Sequence, residues 1–397
     1  MKVIAIVEEV WQGHRPMTVK EFTRALLTLG HQVIVLCPKP QEVEAWIQVH
    51  CRSLPGQVHL IEFRKPPSRR SPVKEEEQQL NVLQLWQAAK EAVDDAAQKL
   101  GKRPDVVFFD VLDGYLATGV TPACVDRIFP YPWTGVYYHP LHLRLNRPFW
   151  SGVPAVDQPH AALNAIRCLG VGTGDDGIVN ILQSQLPGKR VVIYPDIIDV
   201  SEPNVSCPLV KHIKEKARGR TIIGCLGSQS KRKGILTLAQ VAQQMASEPY
   251  FFVFAGPLYP KTYSPQEHTK LIEILGLNLE NCFFYWDFVP TTEMFNGVAA
   301  TCDILFAAYE QHPHCSGTIN RAATFAKPVI VSKNYWMGDK VKEFNLGVTI
   351  NEGNVSECIE AIRHLSNHPL ENPNFEGYQK AHSVSNLPAA FQKLLGA

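Results

Sequence analysis

The chain has 397 residues, of which 45% are hydrophobic and 19% are charged, and its formal net charge is +1. A chain of this length exceeds what one hydrophobic core usually supports, so two domains are expected. The near-neutral charge excludes the broad basic field on which non-specific nucleic-acid binding depends.

The start of the chain predicts a strand, a helix and a second strand. Val3 to Val7 is a continuous apolar run, which is typical of a strand buried on both faces. A polar loop follows, and the helical pattern after it ends at Leu29-Gly30-His31. Gln32 to Leu36 is a second apolar run, so the order indicates a right-handed crossover in a parallel sheet. The sequence therefore predicts an α/β class.

The pattern continues through the first half of the chain. Further strands are predicted at residues 58–63, 105–109, 133–138, 169–172 and 190–194, and a helix at residues 75–100. In open parallel sheets the carboxyl ends of the strands bind ligands. We therefore expect the loops at residues 8–15, 110–114 and 139–147 to form the lips of a crevice, with Asp110 and His14 among them.

A proline-bearing stretch, residues 195–218, is predicted to be irregular and to link two domains. A second alternation of strands and helices follows it. Its strands are predicted at residues 221–226, 251–254, 282–285, 304–306, 329–331 and 348–350.

Two loops of this second half could hold an anion. The first reads G-S-Q-S-K-R-K-G, from Gly227 to Gly234, and opens a helix directly after the first strand. The second starts at Ala307 and reads A-A-Y-E-Q-H-P-H-C-S-G-T-I-N-R before an Ala-rich helix. Its helix begins at Ser316, Gly317 and Thr318, where hydroxyls and free amides favour negative charge.

These stretches resemble the GT-B glycosyltransferases of the large retaining family four. The loop after the second domain's first strand usually reads Gly-Arg, a spacer and Lys-Gly, and Gly227, Lys233 and Gly234 match it. In that family the Arg and Lys hold the donor pyrophosphate. Here the Arg position is Ser228, and Lys231 and Arg232 are the alternative cations.

The second loop resembles the family's acidic motif, which has a Glu, Gly-Phe-Gly, a second Glu and a Gly-Lys-Pro-Val ending. Lys327-Pro328-Val329 matches the ending, and Glu310 matches the first Glu if the loop is three residues longer. Arg321 stands where the second Glu would grip the ribose, so Asn320 is the nearest candidate for that contact.

The first half resembles the family more loosely. V-Y-Y-H-P is similar to the segment that often carries a His facing the sugar, which makes His139 a candidate. The usual Gly-Gly loop is replaced by Gln12-Gly13-His14, so only Gly13 carries over. A satisfied histidine at a strand end remains the alternative for His139.

The resemblance implies a GT-B fold in which two Rossmann-like domains face a central cleft. It places an acceptor-side domain at residues 1–205, a nucleotide-sugar-binding domain at 206–380 and a returning C-terminal helix at 381–397. It also implies transfer of a sugar from a nucleotide sugar to a glycan, lipid or small-molecule acceptor, with retention and without a metal or cofactor. Glu310, His139 and Lys233 are the predicted catalytic residues.

Two other functions stay open at this point. Ser228 and Arg321 are also compatible with a degenerate GT-B protein that binds a nucleotide or glycan without turning it over. A sugar-nucleotide epimerase on the same fold would need no acceptor. A zinc site at His312, His314 and Cys315 is disfavoured, because ligands this closely spaced cannot all reach one tetrahedral ion.

The expected location is the cytoplasm. The ten cysteines are scattered, with no C-x-x-C pair, which suggests a reducing compartment. M-K-V-I-A-I-V is too short for a signal peptide, and no apolar run reaches the about 20 residues that span a bilayer. The cations of the segment from Arg64 to Lys74 could contact anionic lipid at the inner membrane face, although a solvated loop is the default.

Overall fold

The computed structural model describes residues 1–64, 75–144, 158–197 and 201–396. The predicted membrane-contact segment after Arg64 and part of the 139–147 lip lie outside these residues. The chain divides into two compact units, an N-terminal unit of Met1–Ile197 with Ser383–Ala397 and a C-terminal unit of Ile198–His382.

The N-terminal unit is built on a parallel sheet in the order β3-β2-β1-β4-β5. Its strands are β1 (Val3–Val7), β2 (Gln32–Cys37), β3 (Gln57–Glu62), β4 (Val106–Phe109) and β5 (Trp133–Gly135). Strands β6 (Gly170–Thr173) and β7 (Arg190–Ile193) pair with each other, and a parallel bridge joins Trp133 to Cys168. The helices are α1 (Arg15–Thr28), α2 (Pro40–His50), α3 (Glu75–Leu100), α4 (Pro122–Ile128), α5 (Leu141–Arg144) and α6 (Val179–Gln185).

Alternate residues of each central strand enter opposite cores. Ile4 and Ile6 pack in the core that includes α1, whereas Ala5 and Val7 pack in the core that includes α3. All four side chains are buried. This two-sided burial explains why the strands appear in the sequence as continuous apolar runs.

The C-terminal unit is built on a six-stranded parallel sheet in the order β10-β9-β8-β11-β12-β13. Its strands are β8 (Thr221–Leu226), β9 (Tyr250–Ala255), β10 (Cys282–Tyr285), β11 (Ile304–Ala307), β12 (Val329–Ser332) and β13 (Gly347–Ile350). Its helices are α7 (Pro208–Ala217), α8 (Ile235–Gln244), α9 (Pro265–Gly276), α10 (Thr292–Thr301), α11 (Gly317–Thr324), α12 (Tyr335–Glu343), α13 (Val355–Asn367) and α14 (Phe375–Ala381).

The helix α7 corrects one prediction. The stretch through Arg218 was expected to be irregular because of its prolines, but Pro208–Ala217 is helical. Pro208 occupies the first turn, where no intrahelical partner for its nitrogen is needed. Val210, Ile213 and Ala217 then bury one face of the helix.

The last helix, α15 (Leu387–Leu395), belongs to the N-terminal unit. The Phe391 ring lies 5.6 Å from the ring of Phe22, 4.9 Å from that of Phe108 and 5.4 Å from that of Tyr194, measured between centroids. Phe391 is therefore part of an aromatic cluster that joins α15 to α1 and β4.

Candidate active site

The carboxyl edge of the C-terminal sheet has a topological switch point. From β8 the chain crosses to β9 on one side, and β11 pairs with β8 on the other side. Loops that follow such a pair diverge, which opens a crevice for a ligand. The loop after β8 and the loop after β11 are the two anion-binding candidates from the sequence.

The loop after β8 has left-handed glycines at both ends. Gly227 has φ of 92° and Gly234, which precedes α8, has φ of 69°. A Cβ atom at Gly234 would lie 2.6 Å from the carbonyl oxygen of Ala308. The loop is therefore pressed against the end of β11, and only glycine fits at this contact.

Lys233 is buried at this contact, with 8% of the residue exposed. Its Nζ atom donates to the Tyr309 hydroxyl over 2.5 Å and to the Leu226 carbonyl over 3.3 Å. The ammonium also lies 4.2 Å from the centroid of the Tyr309 ring. A lysine from one loop and a tyrosine from the other thus meet at the switch point.

The other polar residues of this loop do not share the buried position of Lys233. Lys231 pairs with Glu267 over 2.6 Å. The Arg232 guanidinium shares a hydrogen bond of 3.2 Å with the His312 ring and lies 5.4 Å from the Tyr309 ring centroid. Ser228 is exposed, and its carbonyl accepts from the Ser230 amide. Arg232 is therefore the second cation beside Tyr309.

The Tyr309 hydroxyl also contacts two other polar side chains near Lys233. Its hydroxyl lies 2.9 Å from Thr318 Oγ1 and accepts from Ser316 Oγ over 3.2 Å. Ser316 also caps α11, because its Oγ atom accepts from the Thr318 amide. Burial raises the pKa of Tyr309, but the Lys233 charge and the hydrogen bonds outweigh it, and the pKa lies below its usual value.

Glu310 follows directly, and its amide donates to the Arg232 carbonyl over 2.8 Å. Burial raises the pKa of Glu310, Lys231 opposes the rise, and the Glu267 carboxylate adds to it. Gln311 has φ of 48°, a left-handed conformation that favours glycine. If Glu310 matches the first Glu of the resembled family's acidic motif, Gln311 stands at the position of that motif's first glycine.

Asn320 and Arg321 lie on α11 and contact neighbouring helices. The Tyr378 hydroxyl of α14 donates to Asn320 Oδ1 over 2.5 Å. Arg321 Nε donates to Asn296 Oδ1 of α10 over 2.9 Å, and its guanidinium lies 4.7 Å from the Phe295 ring centroid. Both side chains therefore hold α11 in the unit.

The N-terminal sheet has its own switch point, between β1 and β4. Glu8 and Asp110 follow these strands, and both side chains are fully buried. Arg15 pairs with Glu8 Oε1 over 2.7 Å, and the Thr18 hydroxyl donates to Asp110 Oδ2 over 2.6 Å. The pKa of Glu8 is raised to about 8, mainly because the carboxyl is buried and also because Asp110 lies next to it. Burial likewise raises the pKa of Asp110 to about 6. The pair thus retains a proton near neutral pH.

His139 lies at the same edge and is oriented by Asp113. Asp113 Oδ1 accepts from the His139 amide over 2.7 Å and lies 3.0 Å from His139 Nδ1. Gly13 has φ of 64°, and the His14 ring lies 6.0 Å from the Tyr138 ring. Burial lowers the pKa of His14, and Asp196 opposes that shift.

The structure thus brings Lys233, Arg232, Ser316 and Thr318 together around Tyr309. Sequence reasoning missed Tyr309 and Asp113. Tyr309 precedes the predicted Glu310, and Asp113 lies in a predicted ligand loop, so position after a strand was the available signal for both.

No group of three or more His, Cys, Asp or Glu side chains within the described ranges could hold a metal ion. Likewise, none of the described helices combines the length and the hydrophobicity that crossing a bilayer requires.

No family model and no curated protein matches the chain. Solved structures match it from end to end. A glycosyltransferase from Rickettsia africae ESF-5 is 13% identical with a TM-score of 0.64, covering 99% of this chain and 98% of that chain. Sucrose-phosphate synthase from Thermosynechococcus elongatus is 14% identical with a TM-score of 0.66, covering 100% and 98%. Anabaena HepE in complex with UDP is 13% identical with a TM-score of 0.61, covering 100% of both.

The two parallel α/β sheets and these full-length matches define a protein with the GT-B fold of glycosyltransferases. The fold prediction is therefore confirmed. A shared fold does not assign an activity, so the activity has to rest on the site residues.

Proposed function

We propose that the protein is a glycosyltransferase that moves a sugar from a nucleotide-sugar donor to a glycan, lipid or small-molecule acceptor, with retention. The observation that carries the proposal is Lys233. Its ammonium is buried at the switch point of the C-terminal sheet, and no carboxylate among the described residues forms an ion pair with it. A buried charge without a counter-charge is costly, and a bound anion would compensate it.

A nucleotide diphosphate fits this requirement. HepE, which shares the fold, has been solved with UDP and with UDP-glucose. In the proposed reaction the diphosphate leaves as the glycosidic bond breaks, and the Lys233 ammonium stabilises the negative charge that develops on it. Arg232 supplies a second charge in place of the Arg that Ser228 replaces.

Glu310 and His139 complete the proposed roles. Glu310 accepts hydrogen bonds from the donor sugar hydroxyls, and His139, oriented by Asp113, contacts the sugar. In a retaining reaction the acceptor attacks on the face from which the diphosphate leaves, and a donor phosphate oxygen takes its proton. Positioning of the donor and the acceptor therefore contributes more to the rate of transfer than a protein base does.

The test combines donor binding with turnover. Wild-type protein is screened with nucleotide sugars, starting with UDP-glucose, for thermal stabilisation and for release of the nucleoside diphosphate. Lys233→Ala should lower the turnover rate by about a hundredfold, because one preorganised charge at the leaving group is lost. Lys216→Ala, an exposed lysine on α7, is the matched control. Unchanged kinetics in Lys233→Ala would contradict the assigned role.

One observation favours a second function, a binder without turnover. Arg321, at the position of the family's ribose-binding Glu, hydrogen-bonds to Asn296 on α10. A silent binder would be stabilised by nucleotide sugars and would show no release of diphosphate with any acceptor.

A further inference from the structure

The Tyr309 hydroxyl is saturated by its neighbours. An ammonium can only donate, so the phenol oxygen accepts from Lys233 Nζ over 2.5 Å. It also accepts from Ser316 Oγ over 3.2 Å. The phenol hydrogen is then available for Thr318 Oγ1 at 2.9 Å. In this arrangement the Thr318 hydroxyl accepts from Tyr309 and keeps its own hydrogen for a ligand.

The Lys233 ammonium also keeps one donor. It has three N–H groups, and its acceptors within the described part of the chain are the Tyr309 hydroxyl and the Leu226 carbonyl. A Cβ atom at Gly227 would lie 3.6 Å from Nζ, so the glycine leaves the space beside the ammonium without a side chain.

An ordinary core tyrosine would not need this arrangement. Tyr309 is 1% exposed, and a buried hydroxyl is satisfied by a single carbonyl acceptor. Here the hydroxyl instead holds a buried cation and two side chains at the start of α11. No carboxylate among the described residues pairs with the ammonium, and the Tyr309 phenol is the most acidic of the groups that contact it there.

We propose that Tyr309 is the positioning residue of the diphosphate site, and that its oxygen competes with the bound diphosphate for the Lys233 ammonium. The proposal rests on the nucleotide-sugar function above. Tyr309 holds Lys233 and Thr318 so that both donate to the same anion. When the diphosphate binds, the ammonium shifts part of its hydrogen bonding from the phenol to the phosphate.

The competition predicts a pH dependence. An ionised Tyr309 would bind the ammonium more strongly and repel the diphosphate. The groups that face Tyr309 are Lys233 and Arg232 from the loop after β8, His312 from its own loop, and the Ser316 and Thr318 hydroxyls. Because the Lys233 charge lowers the pKa of Tyr309, the affinity for diphosphate should fall at a pH below about 10, the ordinary tyrosine pKa.

The first experiment measures UDP affinity by calorimetry in the full chain across this pH range. Tyr309→Phe keeps the ring and removes the oxygen that positions Lys233 and Thr318. A neutral phenol competes only weakly with a diphosphate for the ammonium, so the loss of positioning outweighs the lost competition, and UDP should bind about tenfold more weakly near neutral pH. Its affinity should also fall less steeply with pH than that of the wild type. Tyr131→Phe is the control, because it also removes a buried hydroxyl, one that donates to Asp94 in the N-terminal unit.

The second experiment needs no ligand. Ionised tyrosine has its own ultraviolet absorption band, and the wild type should show one tyrosine that titrates below the others. That component should disappear in Tyr309→Phe, move to higher pH in Lys233→Met and persist in Tyr131→Phe. If Lys233→Met leaves the titration unchanged, Tyr309 is not coupled to the ammonium and the proposal is wrong.

The outcomes distinguish a failure of the Tyr309 proposal from a failure of the proposed glycosyltransferase function. If the wild type binds neither UDP nor another nucleoside diphosphate, the proposed function fails and this inference falls with it. A different outcome would overturn only the role of Tyr309. In that case the wild type binds UDP, Lys233→Ala loses UDP binding, and Tyr309→Phe keeps both the wild-type affinity and its pH dependence.

Discussion

The Arg321 guanidinium donates from Nε to Asn296 Oδ1 over 2.9 Å, and this contact ties α11 to α10. The first turn of α11 carries the Ser316 and Thr318 hydroxyls that contact Tyr309. Arg321, which the sequence comparison aligned with the second glutamate of the resembled family, thus fastens the helix that carries these hydroxyls.

Replacing Arg321 by Ala should therefore destabilise the C-terminal unit. Loss of the hydrogen bond and of the contact with Phe295 is expected to lower the free energy of unfolding by about 1–2 kcal/mol. Urea denaturation measures the change. Arg363→Ala, which breaks an exposed ion pair with Glu248, should have a smaller effect, and equal effects of the two variants would contradict the prediction.

Gly234→Ala should disturb the loop after β8. The new Cβ atom would meet the Ala308 carbonyl oxygen at 2.6 Å, in addition to the strain of φ at 69°. Gly188→Ala separates the two effects, because Gly188 has φ of 77° and nothing within 4 Å of the added atom. The left-handed strain costs about 1–2 kcal/mol in both variants. Only Gly234→Ala should lose more stability than this and also bind UDP more weakly.

The buried Glu8 should make stability depend on pH. Its pKa is raised from 4.5 to about 8, so the folded protein keeps a proton that the unfolded chain has lost. The contribution is complete below the unfolded value and disappears as the pH rises through the folded value. The free energy of unfolding should fall across this window by up to about 1.4 kcal/mol per pH unit for one proton.

Glu8→Gln tests the origin of this slope. The amide carries its own hydrogens next to Asp110, and the slope of unfolding free energy against pH should become shallower. Glu44→Gln, at an exposed position on α2, should keep the wild-type slope. A Glu8→Gln slope as steep as the wild type's would show that another group titrates.

Asp113→Asn should slow sugar transfer without changing UDP affinity. The substitution removes the carboxylate that orients the His139 ring and its amide. If His139 contacts the reacting sugar, the turnover rate should fall at least about tenfold. Steady-state kinetics with UDP-glucose, together with UDP calorimetry, measures both quantities. A large loss of UDP affinity with unchanged turnover would contradict the assignment.

Much of the fold could be predicted from the sequence. The predicted strands at β1 and β8 coincide with the observed ones, because strands buried on both faces are continuous apolar runs with clear ends. The half-buried edge strand β10 also coincides with its prediction. The helix α7 was missed because its proline was interpreted as a breaker rather than as a first-turn residue.

The site could be predicted only in part. Lys233 was predicted as a site residue because Lys-Gly at a helix start has a recognisable spacing, and the structure places it beside Tyr309. Tyr309 follows an apolar strand, where a tyrosine is interpreted as core, and its contact with Lys233 joins residues 76 positions apart. The partners of Arg321 and of Asp113 likewise depend on how separate elements pack, which no local pattern records.

The aromatic cluster around Phe391 affects the order in which the protein can fold during synthesis. Phe22, Phe108 and Tyr194 contact a ring that is translated after the whole C-terminal unit. The C-terminal unit is a continuous segment, so all of its residues are translated before those of α15. Domains generally fold as units while the chain emerges. The unit that is translated first is therefore the one that completes its core last.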